Sequence, residues 1–107
     1  MSSKTHNLSI FGRRLKSARL AMGLAQDKLG VQIGLDESSS SARMSRYESG
    51  VHEPSYLTAI NIANALEVPT AYLYCEDDEL AEMILLIGEL SSDERKNLIK
   101  EIKKSKI

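Results

Sequence analysis

The sequence predicts an all-α fold, in which five short helices occupy residues 9–74 and one or two further helices follow in residues 77–107. Apolar residues recur at spacings of three and four along most of the chain, which is the period of an amphipathic helix. No segment alternates β-branched and polar residues at the two-residue period of a strand. The chain has 107 residues, of which 42% are apolar and 27% charged, so its length and composition are those of a small globular protein.

The first two helices are predicted from their apolar residues and from the glycines that follow them. The polar segment 1–8 is expected to fray before the first helix begins. The apolar face of that helix consists of Phe11, Leu15, Ala18 and Met22. Gly23 ends it, and a shorter second helix extends over residues 25–33, directs Leu29 and Ile33 inward and stops at Gly34.

The third helix begins in a serine-rich segment. Asp36 and the four serines 38–41 carry oxygens that compete for backbone N–H groups, so they favour a turn followed by a helix N-cap. The helix then extends to about Ser49 and stops at Gly50.

A fourth helix and one further helical turn complete the first unit. Pro54 discourages helix in the residue before it and opens the next element. The apolar face of the fourth helix is formed by Tyr56, Ala59, Ile60, Ala63 and Leu66. Pro69 then starts a turn over residues 70–74, which Tyr72 and Tyr74 are expected to anchor.

The C-terminal segment predicts two more amphipathic helices. The first carries an apolar stripe made of Leu80, Met83, Ile84, Ile87 and Leu90, with Leu85 and Leu86 beside it. Ser91 and Glu94 have the spacing of a capping box that opens the last helix. The apolar residues of the last helix are Leu98, Ile99 and Ile102. The stripe needs a partner, which is the chain's own first unit and last helix, a second copy in a dimer, or both.

The formal net charge of −1 conceals an uneven distribution. Residues 1–56 carry eight basic and five acidic residues, a net +3, whereas residues 57–107 carry six and ten, a net −4. Residues 67–94 contain nine acidic residues and no basic one, and residues 95–106 contain six basic residues and one acidic. This asymmetry indicates a specialised N-terminal surface.

Several classes of protein are disfavoured. No apolar stretch reaches roughly 18 residues, the length of a membrane span, and the N-terminus lacks the apolar region of a secretory signal. Cys75 is the single cysteine, so no internal disulfide can form, which fits a cytoplasmic location. His6, His52 and Cys75 lack partners at metal-ligand spacing, so no metal site is expected. Since no acid–base or nucleophile constellation is present, we expect neither a cofactor nor enzymatic activity.

Two short helices joined by a tight glycine-containing turn, the second of them polar, have the arrangement of a helix-turn-helix. In that motif the second helix lies in the major groove of DNA. In order, the chain contains RLKSARLAMGLAQDKLGVQIG, MSRYESG and EPSYLTAINIANALEVPTAYL. Over about residues 9–74 it therefore resembles the DNA-binding domain of the lambda-repressor and Cro-like regulators, the XRE family.

The resemblance implies five helices, of which the second and third form the helix-turn-helix of a DNA-binding transcriptional regulator. It implies that Gln26 places its amide against a DNA phosphate. It also implies that Arg19 and Glu48 form a structural pair between the first helix and the third, and that Met44 and Tyr47 point inward. The positions that match the DNA-facing side of the third helix are Ser41, Ala42, Arg43, Ser45 and Arg46.

Four departures from the family's usual pattern bear on these assignments. The segment before MSRYESG is longer than usual by residues drawn from DESSSS, which either lengthen the turn or add a turn to the recognition helix. Ala25 replaces the usual N-cap Ser or Thr, at a cost of about 1 kcal/mol. Gly30 replaces the usual alanine where the second and third helices pack, which permits a closer approach. Glu67 occupies the position where a glycine commonly ends the fourth helix.

Side-chain chemistry supports several DNA-contacting residues. The planar fork of an arginine bonds guanine O6 and N7 together, so Arg43 and Arg46 are expected to contact bases or phosphates. Ser39 and Ser40, which precede Ser41, serve either as a flexible turn or as phosphate contacts that fix the register. Two roles stay open for the other basic residues of the first two helices: they form a solvated face, or they contact DNA phosphates. These residues are Arg13, Arg14, Lys16 and Lys28.

The sequence thus predicts a dimeric repressor that binds a two-fold operator in double-stranded DNA with the helix around residues 39–49. Two alternatives remain open. An antitoxin-like DNA binder would dock a partner protein on the helices in residues 77–107. A protein-interaction module would keep the fold without DNA binding, an alternative favoured by the near-neutral net charge and the altered segment 36–42.

Overall fold

The computed structural model describes residues 9–106, which form six α-helices and one 3₁₀ helix. These elements are α1 (Ile10–Ala21), α2 (Gln26–Gln32), α3 (Glu37–Ser49), α4 (Tyr56–Leu66), the 3₁₀ helix (Thr70–Tyr74), α5 (Asp78–Gly88) and α6 (Ser92–Ser105). Because these residues contain no strand, the predicted all-α fold is confirmed, with a 3₁₀ helix as its fifth helical element. The segment 1–8, which was expected to fray and includes His6, lies outside the described residues, as does residue 107.

Helices α1 to α4 and the 3₁₀ helix pack around one apolar core, to which α5 adds Ala81. The largest apolar side chains that are fully buried are Leu15, Leu29, Met44, Ile62 and Leu73. The prediction that Met22 and Tyr56 lie on the buried faces of their helices is wrong, since they are 43% and 71% exposed. Both lie at helix ends, beyond the edge of the core. Ile62, which the periodicity did not single out, fills the face of α4 instead.

The helix ends lie close to the predicted positions. The glycines that follow α1, α2 and α3 have positive φ, and they are Gly23, Gly34 and Gly50. Helix α4 ends at Glu67, whose φ of 58° and ψ of 41° lie in the left-handed region. An L residue in this region costs roughly 1–2 kcal/mol, so Glu67 holds a conformation that a glycine would adopt more easily.

The additional residues of the segment 36–42 lengthen the third helix and not the turn. Helix α3 begins at Glu37 and has 13 residues. Asp36 occupies its N-cap position, but the Asp36 carboxylate accepts a hydrogen bond from Ser38 Oγ and none from a backbone amide.

Two glycines allow α3 to lie unusually close to its neighbours. A Cβ atom on Gly30 would lie 1.9 Å from Ser40 Oγ, so the close approach of α2 and α3 expected there is present. A Cβ atom on Gly12 would lie 2.3 Å from the Glu48 carbonyl oxygen, which is a second close approach that the sequence analysis missed. Helix α3 is therefore held tightly against both α1 and α2.

Helix α5 packs on the core, whereas α6 projects from it. Ala81 is buried, and Ile84 and Leu85 pack against the core. The predicted capping box of Ser91 and Glu94 opens α6, yet no residue of α6 is buried. The radius of gyration is 15.9 Å, against about 13 Å for a compact chain of this length. The division into residues 9–74 and 77–107 stays a prediction, and α5 contributes Ala81 to the same core as the helices before it.

Candidate nucleic-acid interface

Helices α2 and α3 form a helix-turn-helix in which both helices are fixed by direct contacts. The Ser40 hydroxyl donates a 2.7 Å hydrogen bond to the Asp27 carbonyl oxygen of α2. The Leu35 amide donates a 2.9 Å hydrogen bond to the Gly30 carbonyl oxygen and closes the turn. The relative orientation of the two helices is therefore built into the folded chain.

A buried ion pair fastens α3 to α1. Arg19 Nε lies 2.5 Å from Glu48 Oε2, and Arg19 Nη2 lies 3.2 Å from Glu48 Oε1. The two side chains are 10% and 6% exposed, and Arg19 Nη1 also donates to the Leu24 carbonyl oxygen at 2.9 Å. The pair orients α3, and neither charge is available to an external ligand.

Gln26, the first residue of α2, is joined to the same carboxylate. Its Nε2 donates to Glu48 Oε1 at 3.0 Å. An amide nitrogen carries two N–H groups, so one remains for an external acceptor. Lys16, Ser45, Glu48 and Ser49 line the same cleft, whose volume is about 190 Å³. Because the Glu48 carboxylate is paired with Arg19, the amide N–H and the lysine are the groups of this cleft that suit an anion such as phosphate.

The solvent-facing side of α3 carries most of the predicted DNA-contacting residues. All five that matched the family's DNA-facing positions are exposed, namely Ser41, Ala42, Arg43, Ser45 and Arg46. The buried edge of the helix is formed by Ser40, Met44 and Tyr47, at the spacing i, i+4 and i+7. Two further serines, Ser38 and Ser49, lie on the same exposed side. Each lies one helical turn from a predicted DNA-facing residue, Ala42 or Ser45, and that spacing would have identified them as members of this face.

The structure corrects one of the predicted contacts and constrains another. Ser40 is completely buried, and its hydroxyl is bonded to α2, so it is not available to DNA. Ser39 is half-buried, and its hydroxyl lies 3.3 Å from the Asp36 carbonyl oxygen within the first turn of α3. Of Ser39, Ser40 and Ser41, which were predicted to contact DNA, Ser41 is the one that is exposed.

Arg14 belongs to the interior of the protein and not to a phosphate-contacting face. Its Nε donates to the Cys75 carbonyl oxygen at 2.9 Å. Its Nη2 donates to the Glu76 carbonyl oxygen at 3.1 Å and lies 3.0 Å from Asp78 Oδ1. The guanidinium also lies 5.7 Å from the centre of the Tyr72 ring. Arg14 therefore joins α1 to the start of α5.

The charges that remain exposed around the helix-turn-helix are predominantly basic. On α1, α2 and α3 they are Arg13, Lys16, Lys28, Arg43 and Arg46. The exposed acidic residues on the same three helices are Asp27 and Glu37, because Glu48 is paired with Arg19. Asp36 is also exposed, at the N-cap of α3, and Arg13 Nη2 lies 4.0 Å from Asp78 Oδ1 of α5. Basic residues still outnumber acidic ones on this surface, although they do not in the whole chain.

Other kinds of site find little support in the part of the chain that the structure describes. Over residues 9–106, no three His, Cys, Asp or Glu side chains converge in a way that would hold a metal ion. The helices in this range are too short or too polar to cross a membrane. Cys75 is a free, half-buried thiol.

Comparisons with known proteins agree with the geometry. A family model described as helix-turn-helix matches residues 15–73. Over 64 residues the chain is 36% identical to the uncharacterized HTH-type transcriptional regulator YqaE of Bacillus subtilis (strain 168), in an alignment that covers 60% of this chain. The alignment spans about half of that relative, 52% of its length. The crystal structure of transcriptional regulator BswR is similar with a TM-score of 0.82 and 46% identity, over 87% of this chain and 92% of that one.

Proposed function

This chain belongs to the XRE-type helix-turn-helix family of transcriptional regulators, and we propose that it is a cytoplasmic, dimeric repressor that lays α3 in the major groove of a two-fold operator. Each copy contributes one recognition helix, and the two-fold axis of the dimer matches that of the DNA site. The bound dimer then blocks access of polymerase to the promoter.

The exposed face of α3 is the observation that carries this proposal. The major groove is about 12 Å wide and admits an α-helix. The small side chains of Ser41, Ala42 and Ser45 allow the helix backbone to come close to the base edges. Arg43 and Arg46 then reach guanine or phosphate, and one good bidentate contact with guanine is worth about 1–3 kcal/mol of discrimination.

The phosphate contacts that set the register are proposed to come from the other helices. Gln26 and Lys16 line one cleft, where the free N–H of the amide and the lysine ammonium would hold a single phosphate. Lys28, which is exposed on α2, is proposed to contact the DNA backbone as well. Such contacts hold the protein on the duplex without specifying a base.

The test is a selection of random duplex DNA by the purified chain at about 150 mM salt. The same selection is run with Arg43→Ala/Arg46→Ala and with the control Asn61→Ala/Asn64→Ala, which changes two exposed polar side chains of α4. The wild type and the control should enrich one two-fold motif, and the α3 variant should lose it. Retention of the motif by the α3 variant would overturn the assignment of the recognition helix.

An antitoxin-like DNA binder is the second candidate, because α5 and α6 expose apolar side chains that a partner protein would cover. Leu80, Met83 and Leu86 are about half exposed, at 50%, 48% and 59%. A neighbouring reading frame that encodes a small toxin, whose product forms a stoichiometric complex with this chain, would favour this function. A wild-type pool without enrichment would favour the interaction module that has lost DNA binding.

A further inference from the structure

We propose that α5 and α6 form a self-complementary interface, in which the basic α6 of one copy packs on the acidic α5 of a second copy, and the reverse. This inference rests on the proposed homodimer and names the surface that forms it. Three features of the C-terminal helices support it.

The first feature is an apolar side on each helix that nothing in the described chain covers. Helix α5 contacts the core through Ala81 and its neighbours, and leaves Leu80 and Met83 about half exposed on its outer side. On α6, Ile99 and Ile102 are 50% and 46% exposed. Two apolar helix faces of this kind bury each other well in a two-helix contact.

The second feature is a cleft at the corner between the two helices. It has a volume of about 260 Å³ and is lined by Pro69, Ile84, Ile87, Gly88 and Arg95. Its walls are mostly apolar. An isoleucine or leucine side chain from the α6 of a second copy is of a suitable size to enter it.

The third feature decides which partner fits. Helix α5 carries three acidic residues and no basic one, whereas α6 carries five basic and three acidic residues. Of the three acidic residues of α5, Asp78 is paired with Arg14, and Glu79 and Glu82 are exposed. Between residues 76 and 106, the ion pair that the structure shows within the segment joins Lys104 to Glu101 on α6 itself. The acidic and basic helices therefore do not neutralise each other within one chain.

A second copy of this chain satisfies both helices at once. A two-fold axis turns one contact between a basic helix and an acidic helix into two identical contacts. A partner of a single charge would match one helix and repel the other. The charge pattern therefore favours self-association over an unrelated acidic or basic protein.

The test uses two charge-reversed variants of the full chain. Glu79→Lys/Glu82→Lys makes α5 basic, and Lys96→Glu/Lys103→Glu makes α6 acidic. All four side chains are exposed. None of them forms a hydrogen bond or an ion pair in the described structure. Sedimentation equilibrium gives the dimer dissociation constant of each variant alone and of an equimolar mixture, and circular dichroism checks that each is folded.

Each variant alone should dimerise at least about tenfold more weakly than the wild type, because like charges then face each other. The mixture should restore dimers to within about threefold of the wild type, since each acidic helix again meets a basic one. An α6 variant with less apolar surface, Ile99→Ser/Ile102→Ser, should also weaken the dimer while leaving the helical content unchanged.

Three results would overturn the interface: a monomeric wild type, variants that dimerise as well as the wild type, or a mixture that stays monomeric. DNA binding is measured separately, with a single half-site duplex at low salt. A variant that no longer dimerises but still binds the half-site shows that its substitutions act on the interface and not on DNA binding. Failure of the wild type to bind any DNA, with the mixture still rescued, would overturn the proposed function and leave the interface intact.

Discussion

The carboxylate of Glu48 connects three helices. From its place on α3 it accepts hydrogen bonds from Arg19 of α1 and from Gln26 of α2. Truncation of Glu48 would leave the Arg19 guanidinium buried without its counter-charge, and such an uncompensated charge costs far more than the loss of a surface pair.

Replacement of Glu48 by alanine should therefore lower the free energy of unfolding by about 3 kcal/mol. For a chain of this size the melting temperature should fall by more than about 10 °C. The matched control is Glu37→Ala, which removes an exposed carboxylate from the other end of α3 and should change stability by less than about 1 kcal/mol. Thermal unfolding followed by circular dichroism compares the two. Equal melting temperatures would contradict the role of the ion pair.

Gly30 and Ser40 should be energetically coupled, because the Cβ of an alanine at position 30 would occupy the space of the Ser40 hydroxyl. Gly30→Ala should destabilise the protein by about 2 kcal/mol through overpacking, and Ser40→Ala by about 1 kcal/mol through loss of its hydrogen bond to Asp27. The double variant should lose less unfolding free energy than the two single variants lose together, by at least about 1 kcal/mol. Urea denaturation of all four proteins measures this, and strict additivity would show that the two sites do not meet.

Some of these residue roles were accessible from the sequence, and others were not. Ser40 lies four residues before Met44 and seven before Tyr47, so the phase of the helix already placed it on the buried edge. Arg14 is different, because two of its partners are backbone carbonyl oxygens more than 60 residues away. A backbone carbonyl leaves no mark in the sequence, and an arginine among other bases on a polar helix is usually on the surface.

At the scale of helices, the sequence predicted their number and most of their ends, because apolar spacing and terminal glycines are local signals. It did not decide whether the residues around DESSSS lengthen the turn or the helix. Serines are tolerated in both, and the outcome depends on how α3 packs against α1 and α2. The 13-residue α3 is the result, and it extends the exposed polar face by one turn at its N-terminus.

The C-terminal end of α4 offers a route to higher stability. Glu67→Gly should raise the free energy of unfolding by about 0.5–1 kcal/mol, because glycine adopts a φ of 58° without the steric cost of a Cβ atom. Part of the gain is offset by the greater freedom of glycine in the unfolded chain. The control Glu67→Ala keeps the Cβ atom and removes only the charge, so its melting temperature should stay near that of the wild type. A glycine variant that melts lower than the alanine variant would refute this account.

At the scale of the whole molecule, net charge is a poor guide to the proposed interface. The acidic residues are concentrated in and around α5, while five exposed bases surround the helix-turn-helix. Two further bases, Arg14 and Arg19, are used in the interior. The distribution of charge along the sequence indicated the division between the two halves, but not the burial of Arg14 and Arg19, which depends on which side chains the fold buries.

Operator affinity should depend steeply on salt if the protein binds as proposed. A dimer that neutralises about 6–8 phosphates should show a slope of about −5 to −7 in a plot of log affinity against log salt concentration. The Arg43→Ala/Arg46→Ala variant should give a shallower slope than the wild type. Fluorescence anisotropy with a labelled operator measures both, and a wild-type slope shallower than about −2 would refute a binding mode based on phosphate contacts.

The joint at Arg14 has an evolutionary consequence. Arg14 binds the segment before α5 largely through hydrogen bonds to the carbonyl oxygens of Cys75 and Glu76. Every amino acid carries a backbone carbonyl oxygen, so these bonds do not depend on the side chains there. The identity at the exposed position 76 should therefore be free to drift, and position 75, which packs against the core, should accept other small apolar residues. Arg14 should not tolerate even lysine, which lacks the planar fork. A library randomised at position 76 should yield mostly folded proteins, and Arg14→Lys should be depleted from a library at position 14. The joint would thus persist among diverging relatives while the side chains of this segment change.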